Sequence, residues 1–282
     1  MTGYIEIRFE YLNKEQKETI IAFLSEMNYD GFEEEGDLLK AYVSANLYDE
    51  EELKNFTGSH NLSFTTEKIQ NKNWNKEWES NFHPVFINHS THNFPCVGIR
   101  ADFHEPVKNV EHEIVITPKM SFGTGHHATT SMMIRMMSEI DFMGKKVMDF
   151  GTGTGVLAIL SEKLGASEII AIDIDDQSIE NAAENFGSNN CTKIELIRSS
   201  SASAQKQFDI ILANIIKLVI LDNLSAFIKQ LAPGGVILLS GLLKDDEEKI
   251  VKSAIKYRLK LKKKIEVDNW ICLEMIYEFG IN

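Results

Sequence analysis

Val147-Met148-Asp149-Phe150-Gly151-Thr152-Gly153-Thr154-Gly155 is the stretch whose reading decides the rest of the chain. Val147, Met148 and Phe150 make a short buried strand, and Gly151-x-Gly153-x-Gly155 then turns it sharply into a helix beginning near Val156. Glycine allows backbone conformations closed to other residues and lets a ligand come close to the main chain. A helix start adds unpaired N–H groups and a partly positive end. A nucleotide-like ligand is the first expectation for such a turn.

Spacing narrows that expectation. The dinucleotide fingerprint is G-x-G-x-x-G, whereas this turn is G-x-G-x-G preceded by Asp149. Downstream, Ile169-Ile170-Ala171-Ile172 reads as a strand ending in Asp173. That is roughly twenty residues on, where a carboxylate binding ribose hydroxyls belongs. The plain alternative is a structural turn with a solvated Asp.

Working outward, β and α patterns alternate. Helices are expected over Ser131–Ile140, Val156–Leu164, Asp176–Phe186, Leu218–Leu231 and Asp246–Tyr257. Strands are expected at Ile114–Ile116, Ile194–Ile197, Phe208–Ala213 and Val236–Leu239. Phe208–Ala213 is almost continuously apolar, as suits a sheet covered on both faces, and it runs into Asn214-Ile215-Ile216. Lys260–Val267 and Ile271–Tyr277 flank Asp268-Asn269 as a hairpin. The alternation implies an α/β, doubly wound, Rossmann-like parallel sheet with ligands at the carboxyl ends of its strands. Upstream, Ser121–Thr130 forms a second glycine loop rich in hydroxyls and imidazoles. It reads as a wall over the ligand or as an elaborate helix cap.

Residues 3–69 read β-α-β-β-α-β, the order of a small α+β, ferredoxin-like module. Its expected elements include a helix from Asn13, a helix over Asn46–Phe56 and a strand over Leu62–Ile69. Between Glu26 and Glu52 it carries ten acidic residues and one basic residue, Lys40. That run is either a solvated face or a docking surface for a basic substrate. Polar residues 70–95 look like a linker, with Trp74, Trp78 and Phe82 at helical spacing. The expected domains are therefore 1–69, a linker with a helix at 70–95, and a ligand-binding domain at 96–282.

With 29 basic and 42 acidic residues, the net charge is −13, which disfavours direct nucleic-acid binding and favours a basic partner. The three cysteines, Cys96, Cys191 and Cys272, are far apart and unpaired in sequence, which argues against a disulfide framework or zinc cage. The histidines at 83, 89, 92 and 104 lack ligand spacing, so no metal is expected. No basic-then-apolar leader and no run of membrane-spanning length is present, so a cytoplasmic chain with no membrane contact is expected.

Together these residues resemble the bacterial ribosomal protein L11 methyltransferases, a branch of the class I S-adenosylmethionine-dependent methyltransferases. The resemblance is carried by Phe122-Gly-Thr-Gly-His126-His-x-Thr129-Thr130, Asp149-Phe-Gly-Thr-Gly-Thr-Gly-Val-Leu-Ala, Ile172-Asp-Ile-Asp175, Ala213-Asn214-Ile and Pro233-Gly-Gly. The first of these is particular to that family, and the second is shared by most class I methyltransferases. The closing hairpin also fits the methyltransferase version of the sheet. One departure is Ile216, where the family often has Leu; it leaves Asn214 as the motif's only polar group.

The resemblance implies S-adenosylmethionine as cofactor. It implies lysine side chains and the N-terminal amine of ribosomal protein L11 as acceptors, a substrate-recruiting N-terminal module and a monomeric enzyme. Gly151 and Gly153 would approach the cofactor's amino acid part, Asp173 its ribose, and Phe122, Thr130 and Asn214 the same pocket. Asn214 would also accept a hydrogen bond from the incoming amine. His126 is a candidate to orient that amine, with capping or packing as the alternative. Other methyl acceptors, a nicotinamide oxidoreductase and a noncatalytic cofactor sensor remain open at this point.

Overall fold

The computed structural model describes residues 4–27, 29, 31–60, 62–69, 82–89, 95–117, 123–204 and 206–278. It divides into two compact units, Met1–Asn81 and Phe82–Asn282.

In the first unit the period-2 pattern of Ile5-Glu6-Ile7-Arg8-Phe9 produces strand β1 (Tyr4–Phe9), with Ile7 and Phe9 fully buried. There follow α1 (Lys14–Glu26), β2 (Gly31–Glu35), β3 (Leu38–Ser44), α2 (Glu50–Ser59) and β4 (Thr65–Ile69). The sheet order is β2-β3-β1-β4 with every pairing antiparallel, which is the ferredoxin-like arrangement. β1 sets Ile7 beside Ala41 and Phe9 beside Leu39 on β3. Ile20 and Leu24 of α1, with Leu53 of α2, complete the core. The second helix starts four residues later than its apolar spacing implied. Asp49 is the reason: its side chain accepts from the Glu52 N–H and caps the helix there.

The second unit opens with a three-stranded sheet, β5 (Val85–Asn88), β6 (Pro95–Ala101) and β7 (His112–Ile116), in the order β5-β6-β7. Residues 85–88 are thus a paired strand rather than linker. Ile87 is buried against the larger core, which their short four-residue pattern did not reveal. Trp74 and Trp78 lie outside the described residues.

The main sheet is built from α3 (Ala128–Met137), β8 (Lys146–Phe150), α4 (Val156–Lys163), β9 (Glu168–Asp173), α5 (Asp176–Ser188), β10 (Ile194–Arg198), β11 (Phe208–Asn214), α6 (Lys217–Gln230), β12 (Leu231–Leu243), α7 (Glu247–Ile255), β13 (Leu259–Val267) and β14 (Trp270–Tyr277). Its order is β10-β9-β8-β11-β12-β14-β13. The pairings from β10 to β12 are parallel, and β14 and β13 close the sheet antiparallel. Strand order reverses between β8 and β11, and a crevice opens at such a switch point.

Alternation sorts the strand residues onto two buried faces. Val147, Ile169, Ala171, Ile210 and Leu212 pack under α3 and α4. Met148, Phe150, Ile170, Ile172, Ile211 and Ala213 pack on the other face with Leu224 and Phe227 of α6 and Ile250 of α7. Burial on both faces is why these strands read as apolar runs.

Three local details matter later. β12 runs well beyond its expected end at Leu239, with a register break between Leu239 and Leu242. The β13–β14 hairpin turns at Asp268 (φ 48) and Asn269 (φ 67), both left-handed as a two-residue type I′ turn requires. β13 forms one edge of the sheet, and Lys262 and Lys264 on it pair with Glu274 and Glu247, each at 2.8 Å.

Candidate active site

A cavity of about 670 Å³ lies at the carboxyl ends of β8, β9, β11 and β12, over the switch point. Its walls include Gly151, Gly153, Asp173, Asn214, Gly241 and Trp270. The volume lies within the range that takes a cofactor-sized molecule, and the walls are mostly apolar with a few convergent polar groups.

The glycine turn is held by its backbone. The N–H groups of Gly151 and Thr152 both donate to the Ile172 carbonyl, at 2.8 and 2.9 Å. Gly151, Gly153 and Gly155 all have positive φ (76, 53 and 80°). A Cβ on Gly151 would collide with the Ile215 side chain, and one on Gly155 with the Phe186 ring. The Gly153 N–H donates to Asp173 Oδ2 at 2.9 Å, while Asp173 Oδ1 accepts from the Ile174 and Asp175 N–H groups at 2.8 and 3.1 Å. Gly151 and Gly153 therefore offer a ligand close approach rather than free donors. The Asp173 carboxylate is fixed in orientation by three N–H groups and keeps acceptor capacity towards the cavity, since a carboxylate has about four lone-pair sites.

Beneath the turn, Asp149 is 1 % exposed and accepts the Thr152 hydroxyl at 2.6 Å. Its Oδ1 has no partner among the described residues. Burial pushes its carboxyl up to about 7 from an ordinary 3.8, against the opposing pull of the Thr152 hydroxyl.

Asn214 ends β11 and lines the cavity. Its Nδ2 donates to Thr130 Oγ at 3.3 Å, and its Oδ1 is buried with no partner among the described residues. A buried carbonyl oxygen without a donor is costly, and in a cavity wall it is the natural acceptor for a ligand N–H. Thr130, expected as a pocket contact, is fully buried behind Asn214 and bonds to it instead of lining the cavity.

The second loop separates its two histidines. His126 is exposed; its Nε2 lies 3.0 Å from the His83 carbonyl, and its ring stands edge-on to Phe82 at 4.7 Å. It is not part of the cavity wall, and the residue that lines it is His127. His127 is the N-cap of α3, where its side chain accepts from the Thr129 N–H, and its ring stands edge-on to Trp270 at 4.9 Å. The loop thus both caps and walls. That cap also starts α3 three residues earlier than its apolar stripe implied. Phe122 lies outside the described residues.

Sequence reasoning passed over Gly241, Trp270 and His127. Gly241 (φ 76) sits at the register break in β12, where a Cβ would run into the Ile215 backbone. An isolated glycine two residues past an apolar strand pattern was the available signal, because it marks a bulge or a close backbone approach. Asn181, Asn185 and Asn189 also went unremarked, although their i, i+4, i+8 spacing puts them on one face of a helix. Asn181 Nδ2 donates to the Thr117 carbonyl, Asn185 Oδ1 accepts from the Thr117 N–H, and Asn189 exchanges two bonds with Val115. Among the described residues no group of three or more His, Cys, Asp or Glu side chains is placed to hold a metal ion.

The comparisons agree with this geometry. The family profile described as "Ribosomal protein L11 methyltransferase (PrmA)" matches residues 4–277. A ribosomal protein L11 methyltransferase of Phocaeicola vulgatus is 34% identical over 97% of this chain and 99% of its own length. One from Chlorobaculum parvum is 38% identical over 95% of each. The crystal structure of a ribosomal protein L11 methylase from Lactobacillus delbrueckii subsp. bulgaricus superposes with a TM-score of 0.63 at 29% identity, covering 70% of this chain and all of that one. With a cofactor-sized cavity on a methyltransferase sheet and matches of that extent, this chain belongs to the ribosomal protein L11 methyltransferase family.

Proposed function

We propose that this enzyme methylates amines of ribosomal protein L11, lysine side chains and the N-terminal amine, with S-adenosylmethionine as methyl donor. The observation that carries the reading is the buried Oδ1 of Asn214, without a partner among the described residues, in the wall of a cavity bounded by a glycine turn and a strand-end aspartate. The residues present fit the cofactor: Gly151 and Gly153 of the turn line the cavity without a side chain, and the Asp173 carboxylate stands ready for a pair of ribose hydroxyls. Bound there, S-adenosylmethionine would supply a methyl group on a positively charged sulfur, so no metal and no nucleophilic side chain is required.

The protein's task is then alignment, which alone can remove several kcal/mol of barrier. A lysine amine has an ordinary pKa of about 10.4 and attacks only when neutral. Desolvation in a mostly apolar cavity lowers that pKa. Asn214 Oδ1 accepts an N–H of the neutral amine and so aims its lone pair, while Thr130 Oγ holds the other end of the amide. His126, outside the cavity wall, plays no part in this scheme.

The N-terminal module supplies recruitment in this reading, and the enzyme acts in the cytoplasm without contacting nucleic acid or membrane. Glu33, Glu34, Glu50, Glu51 and Glu52 are exposed on the module and would attract a basic protein. No described helix is long and apolar enough to cross a membrane.

The deciding experiment is intact-mass spectrometry of L11 from the same organism after incubation with enzyme and S-adenosylmethionine. Increments of about 14 Da, one CH₂ each, are expected, and they should vanish with Asn214→Ala while cofactor affinity stays nearly intact. No increment, with cofactor binding preserved, would move the substrate elsewhere. Loss of cofactor binding in Asn214→Ala would overturn the amine-positioning role.

A further inference from the structure

Asn185 is fully buried, lies on α5 and does not line the cavity, yet it ties the glycine turn that walls the cavity to the strand end from which the second loop departs. Its Nδ2 donates to the Thr154 carbonyl, inside the glycine turn, at 2.8 Å. Its Oδ1 accepts from the Thr117 N–H, just past the end of β7, at 2.7 Å. The amide orientation is set by chemistry, because the N–H must face a carbonyl and the carbonyl oxygen must face an N–H. Thr154 closes the circuit: its hydroxyl donates to the Gly123 carbonyl at 2.8 Å. Gly123 permits that approach, since a Cβ there would sit 2.7 Å from the Thr154 hydroxyl. Thr117 and Gly123, the two ends of the segment that leads into the second loop, are therefore fastened to one turn of the first.

We propose that Asn185 is a positioning residue for cofactor binding, holding the glycine turn in the place the cofactor needs by anchoring its Thr154 carbonyl to the end of β7. This rests on the reading that the glycine turn and Asp173 hold the cofactor.

The asparagine ladder contains its own controls. Asn181 and Asn189 bond the same strand end as Asn185, at Thr117 and Val115, and Asn189 also donates to the Asn185 carbonyl, but among the described residues neither is hydrogen-bonded to the glycine turn. A role confined to fastening β7 would make the three residues equivalent. A positioning role singles out Asn185.

The test is calorimetric titration of S-adenosylmethionine into the full-length chain and its single variants, with melting temperatures measured alongside. Asn185→Ala strands the Thr154 carbonyl and should weaken cofactor binding about tenfold, the size expected for one buried group left unpaired. Its KM for the cofactor should rise equally, with kcat at saturating cofactor within about twofold of wild type. Asn181→Ala and Asn189→Ala should lower the melting temperature but leave affinity within about twofold. Asn185→Asp keeps an acceptor for the Thr117 N–H yet sets a carboxylate oxygen against the Thr154 carbonyl. It should weaken binding at least as much as the alanine, and it serves if Asn185→Ala does not fold. Wild-type affinity in the Asn185 variants, or an equal loss in all three ladder variants, would overturn the proposal. Failure of the underlying site reading is seen separately, as an unchanged dissociation constant in Asp173→Ala.

Discussion

The two glycine loops that bound the cavity share positive-φ glycines but differ in how they are tethered. The first, Gly151–Gly155, is held through its own backbone groups: the Gly151 and Thr152 N–H groups donate to the Ile172 carbonyl, the Gly153 N–H to Asp173, and the Thr154 carbonyl accepts from Asn185. The second also has positive φ and no space for a Cβ at Gly123 and Gly125, and hydroxyl and imidazole side chains add further tethers. The Thr154 hydroxyl reaches the Gly123 carbonyl, the Ser131 hydroxyl reaches the Gly125 carbonyl at 3.1 Å, and His127 caps α3. The glycines of both loops tolerate almost no change in residue type. The side-chain tethers of the second can in addition be loosened a bond at a time.

That contrast sets the order of expected effects. Gly155→Ala should be the most damaging, because it forces a left-handed alanine into the Phe186 ring. About 2–4 kcal/mol of stability should be lost, read from a denaturant midpoint. A loss below about 0.5 kcal/mol would mean the first loop is more plastic than its geometry implies.

Asp149→Asn probes the buried carboxyl beneath the first loop. The Asp149 carboxyl titrates near 7 in the fold and near 3.8 when unfolded. Between those values the folded state holds the extra proton, so wild-type stability falls as pH rises through that window and the contribution is gone above about 7. Asparagine cannot ionise. The variant's melting temperature relative to wild type should therefore be highest near pH 8 and decline towards pH 5. A pH-independent difference would refute the raised carboxyl.

Thr154→Val removes one tether of the second loop and leaves the Gly123 carbonyl without its donor. A loss of about 1–2 kcal/mol is expected from thermal unfolding, with the first loop's backbone bonds unaffected. The smallest effect belongs to His126→Ala. Its ring is exposed and faces Phe82 and the His83 carbonyl, so turnover should stay within about threefold and stability within about 0.5 kcal/mol. A hundredfold drop in kcat would restore His126 to the chemistry and blur the distinction between the loops.

The same contrast explains what could be read beforehand. The glycine turn, Asp173 at the next strand end and Asn214 at the end of an apolar run were legible because each is written in contiguous residues with a fixed period. The doubly wound sheet, its closing hairpin and the β-α-β-β-α-β module were legible for the same reason. Which of two adjacent histidines faces the cavity was not. That depends on His127 acting as the cap of α3, a fact of three-dimensional geometry. Thr130 sits behind Asn214 for the same reason. Gly241 and the asparagine ladder serve backbone groups distant in sequence, at Ile215, Val115 and Thr117, so no local pattern announces their partners. The strand at Val85–Asn88 was missed because four residues carry too little periodicity to stand out from polar surroundings.

The lysine-bearing edge strand β13 has a consequence for how molecules of this chain meet one another. An exposed sheet edge is a template onto which a foreign strand can zip, and extended fibres grow by that route. Here an incoming strand would have to lie beside ammonium groups already engaged with Glu274 and Glu247, and strip them of those partners. The charge pairs are worth little to folding where they are solvent-exposed. Lysines on an edge strand are one of the devices by which folded proteins blunt such an edge.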